Sequence, residues 1–262
     1  MATLRLQIKG QKGRISLLTF LTATASTLRM LEELDLAISG VPKGSLEWFV
    51  TDLSMGSLTV QMDSRSRFME KRYDSDVTEA FLGAMRLIEG QGGVPPYLSE
   101  FGMRQARKLV RVIGHDGADG LSVQALNQTV EVTERASEGV AVLTRIRRRA
   151  IGSVEGKLET ISIHGGRPRF IAYHSRTHKA ITCKITSDTL LSEAKEALGR
   201  RVRALGTVSS NAMGEPLRVE VKDIHVLRRD EELPHREQIR GSAPGMTGDL
   251  TTEEFIRSIR GG

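Results

Sequence analysis

Leu4, Leu6 and Ile8 alternate with polar residues, so residues 3–8 are predicted to form a strand with one apolar face. Apolar positions then switch to helical spacing, with Leu17, Phe20, Leu21, Leu28, Leu31, Leu34 and Ile38 marking a long helix over 16–38. Two further strands, 46–52 and 57–62, are predicted around a turn at 53–56, where Gly56 supplies the needed backbone freedom and Trp48 and Phe49 are assigned to the core. Val77, Phe81, Met85 and Ile88 make an apolar stripe over 76–90, and a second helix over 100–113 follows the Gln-Gly-Gly-Val-Pro-Pro break at 91–96. The Asp-Gly-Ala-Asp-Gly run at 116–120 marks a turn before short strands at 121–125 and 129–133 and a helix over 136–143. Mixed strands and helices of this kind predict an α+β N-terminal domain over residues 1–145.

Downstream the pattern becomes three strands, one helix and two strands: 152–164, 169–174 and 180–186, a helix at 187–198, then 201–209 and 217–227. That order resembles the oligonucleotide/oligosaccharide-binding (OB) fold, which implies a small five-stranded OB-like β-barrel with one helix over residues 150–229. The resemblance rests on topology; it implies a binding surface and names no reaction. Beyond it, the Arg-Asp-Glu-Glu-Leu-Pro stretch and a Gly/Pro-rich run to 248 predict a flexible C-terminal tail over 230–262, ending in a short helix.

Charge separates the two halves. The net charge is +6, and residues 151–229 hold fourteen Lys/Arg against eight Asp/Glu, so the barrel region carries the whole excess. Such a field favours a polyanion or an acidic protein partner, and equally serves solubility. Arg145, Arg147, Arg148 and Arg149 crowd the boundary, either as a solvated connector or as a phosphate-contacting extension of the barrel. Cys183 is the only cysteine, which excludes an intramolecular disulfide and multi-cysteine zinc sites. The opening residues lack the pattern of a secretory signal, and no apolar run reaches the length of a membrane span, so the expected location is the cytoplasm, with no membrane contact.

Catalytic chemistry is not expected. The six histidines fall into no metal or triad spacing; His174 and His178 are four apart, but on a turn between strands with no neighbouring Glu. The His-Gly-Gly-Arg-Pro run at 164–168 reads as a hairpin connection. No phosphate-binding loop, dinucleotide fingerprint or nucleophile elbow occurs, so neither enzyme activity, metal nor cofactor is predicted. Two binding surfaces remain. The barrel offers Arg167, Arg169, Arg176, Lys179 and Arg203, joined by Tyr173 if that ring faces outward, as a surface for single-stranded nucleic acid, while Phe170 on the opposite face fills the barrel. With aromatic content at 4%, these residues read more readily as the ordinary polar faces of a barrel used for protein contact.

The tail supplies the second surface. The Thr-Thr-Glu-Glu run at 251–254 fits a capping box, with Phe255, Ile256 and Ile259 on an apolar side and Arg257 and Arg260 on the neighbouring face. A helix this short needs a surface to pack on, its own protein's or a partner's. The ending resembles the C-terminal segments of bacterial antitoxins that neutralise PIN-type ribonuclease toxins. That resemblance, confined to the tail, implies a non-enzymatic antitoxin-like regulator whose partner is a PIN-type ribonuclease, with Arg257 or Arg260 entering the toxin's acidic metal site; this is the function expected, and single-stranded nucleic-acid binding by the barrel is the alternative. The sequence fixes no oligomeric state.

Overall fold

The computed structural model describes residues 1–11, 13–41, 43–54, 58–68, 72–228, 232, 248 and 250–260; the side chains of Thr252 and Arg260 lie outside that description. The predicted turn residue Gly56 and the linker at 233–247 also lie outside it. The described chain is mixed α+β with two five-stranded sheets. By contacts it divides into Met1–Leu227 and Arg228–Gly262.

The first sheet contains β1 (Thr3–Gly10), β2 (Leu46–Ser54), β3 (Leu58–Ser66), β4 (Ala118–Ala125) and β5 (Gln128–Val132) in the antiparallel order β2-β3-β1-β4-β5. Leu4, Leu6 and Ile8 are buried beneath the helices, as their alternation requires. The opposite face is polar and tied across strands by Thr3 Oγ1 to Asp63 (2.8 Å), Arg5 to Gln61 (3.0 Å) and Lys9 to Glu131 (2.6 Å). Helix α1 (Leu17–Ser39) packs on β2 and on α3 (Glu100–Val110), while α2 (Asp74–Gly90) covers β3, β4 and β5 and contacts α4 (Arg135–Thr144).

The stripe that α1 buries differs from the predicted one. Leu17 and Leu21 are 71% and 52% exposed, and burial runs instead through Thr19, Ala23, Ser26, Thr27, Met30, Leu31 and Leu34. Small and hydroxyl side chains line the contact, so the first two turns of α1 leave their leucines in solvent. Phe49 also corrects the sequence reading: it is 38% exposed on edge strand β2 with the Arg65 guanidinium 4.5 Å from its ring centre, whereas Trp48 packs against the core.

The second sheet comprises β6 (Arg148–Ser162), β7 (Arg169–Tyr173), β8 (Ala180–Lys184), β9 (Arg201–Ser210) and β10 (Pro216–Val226), with α5 (Asp188–Glu196) between β8 and β9. It is closed in the order β10-β8-β7-β6-β9, since β9 pairs with both β6 and β10, and the β8–β10 pairing is parallel. Its own core holds Leu158, Phe170, Cys183, Val202, Val219 and Val221 among others, separate from the core beneath the first sheet. Gly206 permits closure: a Cβ there would lie 2.0 Å from the Glu220 carbonyl oxygen. Arg148 and Arg149 belong to β6, paired opposite Ser210 and Ser209, and are not part of a connector.

Backbone and side-chain bonds join the two cores. Tyr97 N–H donates to the His178 carbonyl (2.8 Å) and the two rings stack at 5.0 Å. Arg218 pairs with Glu100. The Glu215 carboxylate, on the β9–β10 connection, accepts from Val94 N–H (3.1 Å), Asn211 Nδ2 (2.8 Å) and Lys179 Nζ. Asn211 Nδ2 also donates to the Leu143 carbonyl (3.3 Å).

Candidate functional site

The outer face of the closed sheet follows from strand register. Arg169, Ile171 and Tyr173 of β7 stand opposite Lys184, Thr182 and Ala180 of β8, and Thr182 and Lys184 stand opposite Arg218 and Glu220 of β10. Because side chains alternate, this set faces away from Phe170 and Cys183 in the barrel interior. The set forms one wall of a groove of about 730 Å³, within the roughly 300–1,000 Å³ range of ligand sites. The connection between β6 and β7, a 3-10 turn at His164–Gly166, brings Arg167 to the same wall. Helices α1 and α3 form the other wall, with Arg29, Glu33, Glu100, Phe101 and Arg104.

Among the described residues, Arg167, Arg169 and Lys184 of the barrel wall make no ion pair, in contrast to Arg29 with Glu32 (2.9 Å) and Arg218 with Glu100. Uncommitted cations beside a concave surface give a positive field that a phosphate backbone would meet without first breaking a protein contact. On the helix wall, Phe101 is 40% exposed with the Arg104 guanidinium 5.9 Å from its ring centre.

Two of the groove's lining residues are polar and deeply buried. Glu33 is 9% exposed; its Oε1 accepts from Ser99 N–H (3.0 Å) at the start of α3, and its Oε2 is buried against Gly102 of that helix. Burial raises its pKa above the usual carboxylate value, against the lowering effect of the Ser99 hydrogen bonds, the Arg104 charge and the Gly102 N–H. Gly102 makes this arrangement possible, because a Cβ there would lie 2.1 Å from Glu33 Oε2. Tyr173 is 7% exposed, and its phenol pKa is pushed up by burial first and then by the charges of Glu33 and Glu159.

Arg167, Arg169 and Tyr173 come together at the groove; Tyr173 stands on the outer face, away from Phe170, yet is 7% exposed and forms a buried part of the wall. Arg203 lies away from it, clasped by Glu155 through Nε (2.8 Å) and a terminal nitrogen (2.6 Å). Lys179 is bound to Glu215, and Arg176 sits on the exposed β7–β8 turn, where His174 Nδ1 accepts from the N–H groups of Arg176 and Thr177. Glu33, Phe101, Arg104 and Lys184 were not singled out; only Lys184 had a usable signal, its alternation with Cys183 along β8.

The tail unit holds α6 (Thr252–Arg260). Its capping box is formed: Glu254 N–H donates to Thr251 Oγ1 (3.3 Å) and Thr251 N–H to Glu254 Oε2 (2.9 Å). Ile256, Arg257 and Ile259 are exposed, and Phe255 is half-buried. No three His, Cys, Asp or Glu side chains gather as a metal cluster among the described residues, and no described helix is long and apolar enough to cross a membrane. No protein-family model matches the chain, and no curated protein does.

Proposed function

We propose that the protein binds single-stranded nucleic acid in the groove between the closed sheet and helices α1 and α3. The observation that carries this reading is the set of cations Arg167, Arg169 and Lys184, without an ion pair among the described residues, on one wall of a ligand-sized groove lined on the other by the exposed ring of Phe101. The strand order, the parallel β8–β10 pair and the position of α5 support reading residues 150–229 as an OB-like barrel. In that fold the second and third strands, here β7 and β8, and the first inter-strand loop form the oligonucleotide surface. Phosphates would meet the three cations, and an unstacked base would lie on Phe101, a contact of roughly 1–3 kcal/mol.

The test is fluorescence anisotropy with labelled single strands of about 12 nucleotides across a salt series. Neutralising about three phosphates gives a slope near −2 in log K against log salt. The variant Arg167→Glu/Arg169→Glu/Lys184→Glu should lose that binding while keeping its circular dichroism spectrum. Unchanged affinity in the folded variant defeats the reading.

The tail favours a second reading. Its capped helix exposes Ile256 and Ile259 with Arg257 alongside, a form suited to docking on a protein surface. By its resemblance to antitoxin tails, the partner would be a PIN-type ribonuclease, and the protein an antitoxin-like regulator without catalysis of its own. Removing residues 249–262 should then leave folding intact and abolish inhibition of such a nuclease; inhibition that survives the deletion rejects this role.

A further inference from the structure

Arg145, Arg147, Arg148 and Arg149 are all exposed. Arg147 N–H donates to the Ser210 carbonyl (2.8 Å), and Arg148 and Arg149 stand opposite Ser210 and Ser209 where β6 begins, so the run is extended and its ladder neighbours are neutral. Among the described residues none of the four arginines makes an ion pair. Like charges crowded in this way repel, and a polyanion laid along them relieves that repulsion. Strand register puts the run beyond one end of the groove. Thr182 of β8 stands opposite Arg218 of β10, Arg218 opposite Ser209 of β9, and Ser209 opposite Arg149, so one row crosses four strands. At about 4.8 Å per strand, the backbones at Arg218 and Arg149 lie about 10 Å apart along it. Arg149 has the parity of Glu155, whose side chain clasps Arg203 on the outer face, and Arg147 shares that parity. Between them, Thr144 and Ile146 line a recess of about 50 Å³ whose lining includes Ser99, Glu100 and Arg218, three residues that also line the groove.

We infer that a bound single strand does not end in the groove: it passes Arg218, and its phosphates continue onto Arg145, Arg147 and Arg149. This rests on the nucleic-acid reading above and deepens it, by giving the site a second positive segment. The two segments differ in chemistry. The groove joins cations to the exposed ring of Phe101, whereas residues 145–149 carry no aromatic side chain. The run therefore takes the sugar–phosphate backbone, through guanidinium groups whose paired N–H donors match phosphate oxygens, and reads no base. Affinity should then rise with strand length in a way that depends on salt and not on sequence.

The experiment titrates the full-length protein with labelled thymidine strands of about 4 and about 16 nucleotides, the limits of what one barrel of this kind engages. The groove cations alone give a salt slope near −2, expected with the short strand; three further phosphate contacts, at about 0.7 each, should take the long strand to near −4. Between about 50 and 200 mM salt the natural protein should then lose about 250-fold in affinity for the long strand and about 16-fold for the short one. Arg145→Ala/Arg147→Ala/Arg149→Ala removes exposed side chains, so its circular dichroism spectrum should be unchanged. That variant should lose only about 16-fold with the long strand and bind the short one as the natural protein does. Equal slopes for the two strands with the natural protein, or a variant that keeps the steeper slope, overturns the inference while leaving groove binding standing. A variant that weakens the short strand as much as the long one also overturns it, since that marks a general loss of positive field. Absence of binding by every strand overturns the groove reading itself and this inference with it.

Discussion

Glu215 fastens the barrel to the helical half of Met1–Leu227, and its removal offers a quantitative check on the interface that shapes the groove. Glu215→Ala strips the acceptor from Val94 N–H, from the Asn211 amide and from the Lys179 ammonium. A lost hydrogen bond costs about 1 kcal/mol net, and a bond to a charged group about 1.5–3 kcal/mol. The Asn211 nitrogen retains the Leu143 carbonyl, and the Lys179 side chain is 30% exposed and recovers water, so the sum settles at about 2–4 kcal/mol. Glu215→Gln keeps one acceptor and should cost about 1–2 kcal/mol. Urea unfolding followed by circular dichroism at neutral pH reads both values through the midpoint at constant slope. Acid adds a second signature. Burial alone would raise the Glu215 pKa, but Lys179, Asn211 and Val94 N–H more than offset it, so the folded value lies below the ordinary 4.5. The charge therefore stabilises the fold above about pH 4.5, and that contribution is lost as pH falls through the lower folded value. The gap between the natural protein and Glu215→Gln should close over the same range. An alanine variant within about 0.5 kcal/mol of the natural protein would refute the reasoning.

Other consequences are narrower. Gly102→Ala drives a methyl group to 2.1 Å from Glu33 Oε2 and 2.8 Å from Leu98 Cδ2, so it should cost about 1–3 kcal/mol and lower Tm by several degrees in calorimetry; an unchanged Tm would mean that α1 and α3 are not in close contact there. Leu17→Lys and Leu18→Lys replace side chains that are each 71% exposed and should change stability by no more than about 0.5 kcal/mol in urea titration; a large loss would place those leucines in a core.

Periodicity made the elements legible. Leu4, Leu6 and Ile8, or Val77, Phe81, Met85 and Ile88, bury as their spacing dictates because each element has one clear apolar face. The α1 stripe was misread because Thr19, Ala23, Ser26 and Thr27 do the packing there: where two helices approach closely, small residues fit and leucines at the helix start do not. Parity put Phe170 and Tyr173 on opposite faces of β7, yet local alternation carries no information about α1 and α3 arriving over that face and burying Tyr173. The same limit hid the electrostatics. Arg203 and Lys179 look free in sequence, but their partners Glu155 and Glu215 lie 48 and 36 residues away, and only the strand register brings them together. Glu33 looked like one more charge on a helix until Ser99 and Gly102 closed over it.

The central claim is most directly tested by hydrogen–deuterium exchange on the full-length protein with and without a single strand of about 12 nucleotides. Binding in the groove should slow exchange in Arg169–Tyr173, Ala180–Lys184 and the first turn of α3, and leave β1 and β3 on the far sheet unchanged. Protection confined to Thr252–Arg260, or none at all under saturating strand, would contradict it.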